Sequence, residues 1–359
     1  MGLKNYYTEM RAVRAQMYDA TRDAAMQPGF GESMAAFWRR TVFSVKLIFL
    51  EKELITFAVL QWLCIAAGYY LWIQMLGWIP EEAWRQAAHS RGATPGDLIL
   101  FAWSFVVVGL VAFPLGILSA CMGAVHFLNR QGKESTIVEC LKMVMPRAWP
   151  LWIFHWIDGW WTVMRILDRL PKKNSHTSAA QRALSEAVYY AWKIATIGIL
   201  PGLVTGRGLV DAGKRSIGVV RNRLQDVILL RAGYSALCWI VGIGAYIGTI
   251  FFFRSFPDLV NWAAPVESQI YKFYFWVAVP MLSAVGIVVL FLRPIYIISS
   301  CDIYADYVHA QGENLMLPPP PPGSRKGDTA FAAAVLLAAA ILLFMFLRDR
   351  LGLPALFLK

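Results

Sequence analysis

Ala148–Leu170 reads AWPLWIFHWIDGWWTVMRILDRL, with five tryptophans in thirteen residues and His155, Asp158 and Arg165 among them. How this stretch is read decides how the chain is threaded. It is a membrane span, a helix packed or re-entrant within a bundle, or a helix lying along a membrane surface. Trp149, Trp152, Trp156 and Trp160 recur at three, four and four residues, which is one helical face. Val163 and Leu167 continue that face, while Asp158, Arg165, Asp168 and Arg169 fall largely elsewhere. An aromatic face with a charged back suits the interface, where indoles sit at headgroup depth. The spacing therefore predicts an interfacial helix over 148–170, with the buried and crossing forms as alternatives.

The rest of the chain supports a membrane setting. It has 359 residues, 58% of them hydrophobic and 16% charged. Soluble domains run at about 45–50% apolar and about 25% charged. Five segments are about 20 residues of apolar sequence without Lys, Arg, Asp or Glu: 54–78, 98–128, 232–253, 273–292 and 330–347. The polar first 27 residues carry no apolar run of the kind a cleavable leader needs. The fold class expected is all-α: a polytopic bundle of five to seven transmembrane helices, with amphipathic interfacial helices.

Charge orients the spans. The net charge is +11. Eight Lys/Arg precede residue 54, and region 129–231 holds sixteen Lys/Arg against seven acids, a net of +9. Loops 79–97 and 254–272 hold two Lys/Arg each, offset by three and two acids. Cytoplasmic loops are the basic ones. The N-terminus is therefore expected to be cytoplasmic, in a bacterial inner membrane, with these two loops outside. If 148–170 crossed, 183–206 would have to cross back. The connection would then export Arg165, Arg169, Lys172, Lys173 and Arg182, against that rule. Segment 183–206 contains Glu186 and Lys193, two turns apart on one face, and Pro201 near its end. It reads as interfacial, re-entrant, or a crossing with a charged stripe turned inward.

A shift of 175 residues superimposes two units. Each has a basic amphipathic helix, an outward span and a returning span. Arg39, Arg40 and Thr41 fall on Lys214, Arg215 and Ser216, and Lys46 falls on Arg221. The pattern is that of a parallel repeat about the membrane normal. In the second unit Ile217, Val220, Leu224 and Val227 are expected to form one apolar face. Four regions follow: an amphipathic N-terminal helix in 1–30, the bundle in 31–312, a proline-rich spacer in 313–329 around LPPPPPG, and a C-terminal anchor in 330–359.

No catalytic motif stands out. GxSxG, HExxH, Walker A and GxGxxG patterns are absent, and the five cysteines show no metal or disulfide spacing. We expect no enzyme activity, no cofactor and no metal. His126 and His155 are the positions at which a ring cofactor would be ligated, and a hydrogen-bonded or interfacial histidine is the simpler reading of both. Trp149, Trp152, Trp156, Trp160, Lys214, Arg215 and Arg221 are expected at the lipid interface. Glu186 and Lys193 are the candidates for a transport site. The partners expected are anionic lipid headgroups and either membrane proteins or further copies of the chain, with no nucleic acid. Function is read as a non-catalytic membrane subunit, or alternatively a transporter or channel for a small molecule or ion.

Ala191–Val220, AWKIATIGILPGLVTGRGLVDAGKRSIGVV, resembles a group of uncharacterised bacterial multi-pass membrane proteins. The likeness rests on Pro201, Asp211, Ala212, Lys214, Arg215 and Ser216: an apolar helix ending in proline, a short turn, then an acidic-Ala and Lys-Arg-Ser helix. The resemblance spans residues 30–312 and implies a helical inner-membrane bundle, with no activity attached.

Overall fold

A computed structural model describes residues 29–76, 95–169, 179–257, 269–313 and 315. The N-terminal helix, the proline-rich spacer and the 330–347 anchor lie outside the described residues. The described chain is helical throughout: α1 Phe30–Leu50, α2 Lys52–Leu76, α3 Pro95–Arg130, α4 Ile137–Val144, α5 Ala148–Arg169, α6 Ala179–Ala195, α7 Ile199–Val204, α8 Leu209–Asn222, α9 Leu224–Ser255, α10 Gln269–Ile287 and α11 Arg293–Ala310. A π-helical segment, Val288–Leu292, joins α10 to α11.

Local chemistry sets several of these ends. The Glu32 carboxylate accepts from the Gly29 backbone N–H at 3.0 Å and opens α1. Thr136 caps α4 by accepting from the Glu139 N–H at 3.3 Å. Among the described residues, five stretches are long and apolar enough to cross a bilayer: Lys52–Trp72, Ala102–Arg130, Glu186–Val204, Leu224–Ser255 and Val279–Ala310. Four of them carry the expected spans 54–78, 98–128, 232–253 and 273–292. The chain is therefore a helical membrane bundle.

The helices α2 and α3 run antiparallel. Trp72 Nε1 donates to Ser104 Oγ at 3.0 Å towards one end, and Gln61 Nε2 donates to Ser119 Oγ at 2.7 Å further along. Gly68 lets them close: a Cβ there would come within 2.4 Å of Val111 Cγ2. Beside them, α9 pairs with α10, and α1 packs across α9 and α11. The element order of the proposed repeat is thus present, as α1–α2–α3 and α8–α9–α10.

The tryptophan stretch departs from the flat surface placement. α5 lies along α3 in the opposite sense. Trp152 Nε1 donates to the Gly109 carbonyl at 2.7 Å, and Trp156 Nε1 donates to the Phe105 carbonyl at 3.3 Å. His155 faces Gly116, and Trp160 meets Phe105 edge-on with centroids 4.9 Å apart. As α5 advances, its partners on α3 recede. The aromatic face is therefore turned onto a neighbouring helix, where small residues admit the rings and helix carbonyls accept the indole protons. Spacing alone could not tell such a partner from a lipid headgroup, because both reward one aromatic stripe.

Region 183–206 is two helices, not one. α6 ends at Ala195 and α7 begins at Ile199. Ser216 of α8 stitches the break: its Oγ accepts from the Gly198 N–H at 2.9 Å and donates to the Ala195 carbonyl. Gly198 has no room for a side chain, since a Cβ would lie 2.9 Å from the Ser216 backbone. Gly202 packs likewise on Ala212, with 3.0 Å to its Cβ. The Pro201–Ala212–Ser216 pattern is thereby explained as the contact surface of α7 and α8. The face Ile217–Val220–Leu224–Val227 is corrected: the helix is interrupted at Arg223, and Ile217 is 63% exposed. Ala212, Ser216 and Val219 form the buried side of α8.

Candidate functional site

Two polar layers lie inside the bundle, and they differ in charge balance. The first ties together α1, α3, α9 and α11. Arg40 Nε donates to Asp302 Oδ2 at 3.1 Å, and Arg40 Nη2 donates to Asp306 Oδ2 at 3.0 Å. Arg130 reaches the other oxygens of the same two carboxylates, at 3.1 and 3.4 Å. Asp226 meets Arg40 at 3.5 Å and Arg223 at 3.4 Å. Three guanidiniums thus face three carboxylates. Burial alone would lower the Arg40 pKa, but Asp302, Asp226 and Asp306 override it and raise the value. Buried charges persist only when paired this way. His126, a candidate ring ligand, sits against this network with Nε2 3.9 Å from Asp302 Oδ1 and its ring edge-on to Phe43 and Phe127.

The second layer lies deeper along α3. Ser119 precedes Arg130 by eleven residues, about 16 Å of helix. Ser119 Oγ accepts from Gln61 at 2.7 Å and from Arg293 Nη2 at 3.1 Å. Arg293 opens α11 directly after the π-helical segment. Such π-bulges are frequent at functional sites. Across the layer, Lys193 of α6 is ion-paired at 2.5 Å to Asp158 of α5, which also accepts from Trp192 Nε1 at 3.2 Å. Trp161 and Trp192 stack beside them at 5.8 Å. Arg231 lies over the Tyr296 ring at 5.9 Å, and that ring packs on Tyr234 at 4.7 Å. His155 bonds through Nδ1 to the Leu151 carbonyl at 3.0 Å and stands within electrostatic reach of both Arg293 and Asp158.

The charge count here does not close. Among the described residues, Asp158 is the carboxylate that meets this layer, and no carboxylate lies within ion-pair distance of Arg293 or Arg231. Arg293, Lys193, Asp158 and Tyr296 are packed among helices, and each keeps part of its surface open.

The structure thus brings together two sequence-predicted residues, His155 and Lys193, and adds Asp158. Glu186 lies two turns earlier on α6 and is half-buried. Trp152 and Trp156 serve the α3–α5 contact, while Trp149 is 48% exposed. Lys214 and Arg221 are exposed, and Arg215 bonds Glu313 at 2.7 Å. Sequence reasoning missed Gln61, Ser119, Arg231, Tyr234, Arg293 and Tyr296. Gln61 was a legible signal, an amide near the middle of an apolar span. Arg293 directly follows the span 273–292, where a basic residue is an ordinary orientation signal. Among the described residues no group of three or more His, Cys, Asp or Glu is arranged to hold a metal ion.

Comparison with protein-family models, with curated proteins and with solved structures finds no match.

Proposed function

We propose that the protein is a non-catalytic integral membrane subunit of a bacterial inner membrane, with its N-terminus in the cytoplasm. It packs against lipids and protein partners. The supporting observation is the balanced Arg40–Arg130–Arg223 and Asp226–Asp302–Asp306 network, which cross-links four helices as structural ion pairs. Around it, α9 turns Trp239, Ile240, Ile243 and Phe251 outwards, an apolar surface suited to acyl chains or a partner helix. Purification from native membranes in mild detergent tests the reading. Stoichiometric co-purification of a membrane protein or of tightly held lipid is expected. A monodisperse, lipid-free monomer would overturn it.

A second reading, transport of a small solute or ion, is favoured by the helix interruptions at 196–198 and 288–292, which flank the Lys193–Asp158 pair and Arg293. Transport sites are commonly built on broken helices. Flux into proteoliposomes that is abolished by Asp158→Asn would establish it. Flux no greater than in empty vesicles would remove it.

A further inference from the structure

The helices that open the two repeated units, α1 and α8, turn the same pattern outwards. Under the shift of 175 residues, Phe37, Thr41, Ser44 and Ile48 fall on Ala212, Ser216, Val219 and Arg223, and all eight are buried. The outward faces correspond as well. Ala35, Arg39, Val42, Lys46 and Phe49 fall on Val210, Lys214, Ile217, Arg221 and Leu224, and all ten are exposed. The last of these, Leu224, opens α9. Each helix thus carries a stripe in which a basic side chain stands between successive apolar ones. Phe49 is 70% exposed and Val210 71%, and Trp38 and Val45 widen the apolar part on α1. Large apolar side chains in a row on an exposed face mark a contact surface.

Both stripes lie at the ends of the spans. Arg130 follows the apolar run 98–128, and Glu51 and Asp226 precede the runs 54–78 and 232–253. α1 keeps that level from Arg40 onwards. Arg40 shares Asp302 and Asp306 with Arg130, and Glu51 accepts from Ser135 Oγ at 3.1 Å, just past the end of α3. α8 keeps it too. Arg215 reaches Glu313, beyond the end of α11, at 2.7 Å, and Arg223 meets Asp226 at 3.4 Å. The two helices therefore run along the span ends, where hydrocarbon gives way to headgroups.

Charge selects the partner. Arg39, Lys46, Lys214 and Arg221 give both stripes one sign. The exposed acids of these helices, Glu32 and Asp211, stand in the first turns. Stripe against stripe in a second copy would set cation against cation. An anionic bilayer surface takes both parts, with apolar side chains below the headgroups and cations among the phosphates. We propose that α1 and α8 are equivalent interfacial helices whose outward stripes seat on the anionic phospholipid headgroups of one leaflet. This rests on the reading of the chain as an integral membrane subunit and names the lipid class that two of its surfaces take.

The test uses the full-length protein. With Val42 or Ile217 replaced by photoreactive benzoylphenylalanine, it is irradiated in native membranes. A phospholipid adduct is expected at both positions by mass spectrometry. At either position, a protein adduct in place of lipid, a second copy included, or no adduct at all overturns the proposal. The headgroup is then read in mild detergent by following thermal unfolding while phosphatidylglycerol or phosphatidylcholine is added. Wild type is expected to respond to phosphatidylglycerol at the lower concentration, and salt should narrow the difference. K46Q/K214Q/R221Q should need about a hundredfold more phosphatidylglycerol, about fivefold for each basic residue at an anionic surface. R254Q, at the other end of α9, should respond as wild type does. An equal response of wild type to the two lipids, or a triple variant that binds as wild type does, also overturns the proposal. The cross-links and the wild-type comparison hold even if the triple variant fails to fold. Extraction from membranes at alkaline pH is read in parallel. A protein that washes off would sink the membrane reading itself, whereas one that stays without lipid adducts at Val42 and Ile217 sinks only this placement of α1 and α8.

Discussion

The Arg40 guanidinium and the Asp306 carboxylate are 266 residues apart in the chain and 3.0 Å apart in the fold, both almost wholly buried. Arg40 comes from the first described helix and Asp306 from the last, so one contact closes the bundle. Asp302, one turn earlier on α11, accepts from Nε of the same guanidinium at 3.1 Å, and Asp226 meets Nη1 at 3.5 Å.

Arg40→Gln therefore takes a cation from three carboxylates, Asp226, Asp302 and Asp306. Removing one partner of a buried pair costs about 3–5 kcal/mol. Lowered thermal stability in detergent is the expected readout. Adding Asp306→Asn to Arg40→Gln should recover part of that loss, and additive losses would show that the two residues act separately.

Gly198→Ala should also destabilise, by about 1–3 kcal/mol, because the new methyl meets the Ser216 backbone and the stitched turn must open. Ser216→Ala at the same junction removes two hydrogen bonds, each worth about 1 kcal/mol. Unfolding midpoints of both variants measure this. Unchanged midpoints would mean the α6–α7 break is held by something else.

Cys140 is fully buried on α4, and burial, followed by the charges of Glu53, Glu51 and Glu139, pushes its thiol up to about 12 from an ordinary 9.0. A raised folded value means that stability is intact below pH 9 and is lost as pH climbs from there to about 12. Slow maleimide labelling of Cys140 in the native protein, and rapid labelling after denaturation, are expected at pH 8. Rapid native labelling would show the thiol to be open.

Trp152→Phe keeps the packing of α5 on α3 and removes the indole donor to Gly109. A loss of about 0.5–1.5 kcal/mol is expected. No change in stability would indicate that this indole is satisfied by solvent or headgroups.

The placement of α5 beside α3 also bears on topology. A cysteine introduced at Lys172, between α5 and α6, should react with an impermeant reagent added from outside intact cells. Reaction only from the cytoplasmic side would restore a surface-lying helix.

The residues that sequence reasoning located and those it missed differ in a physical way. The apolar spans were legible because transfer from water to hydrocarbon acts on each segment by itself, and a run such as 232–253 carries its own signal. Lys193 and His155 were legible as ionisable groups in apolar surroundings. Arg293 was not, because a basic residue at the end of a span is the ordinary orientation signal. Only its contact with Ser119, 174 residues away, makes it part of a site.

By itself, then, the sequence determined that the chain is helical, apolar enough for a bilayer and asymmetric in charge. The tertiary structure alone decided that Trp152 and Trp156 of α5 face α3, that Ser216 seals the break before Ile199, and that Arg40 meets Asp302 and Asp306 while Arg293 donates to the Ser119 hydroxyl. The reason is range. Hydropathy and helical period are properties of neighbouring residues, whereas the pairing of a buried charge depends on a partner that only folding brings near.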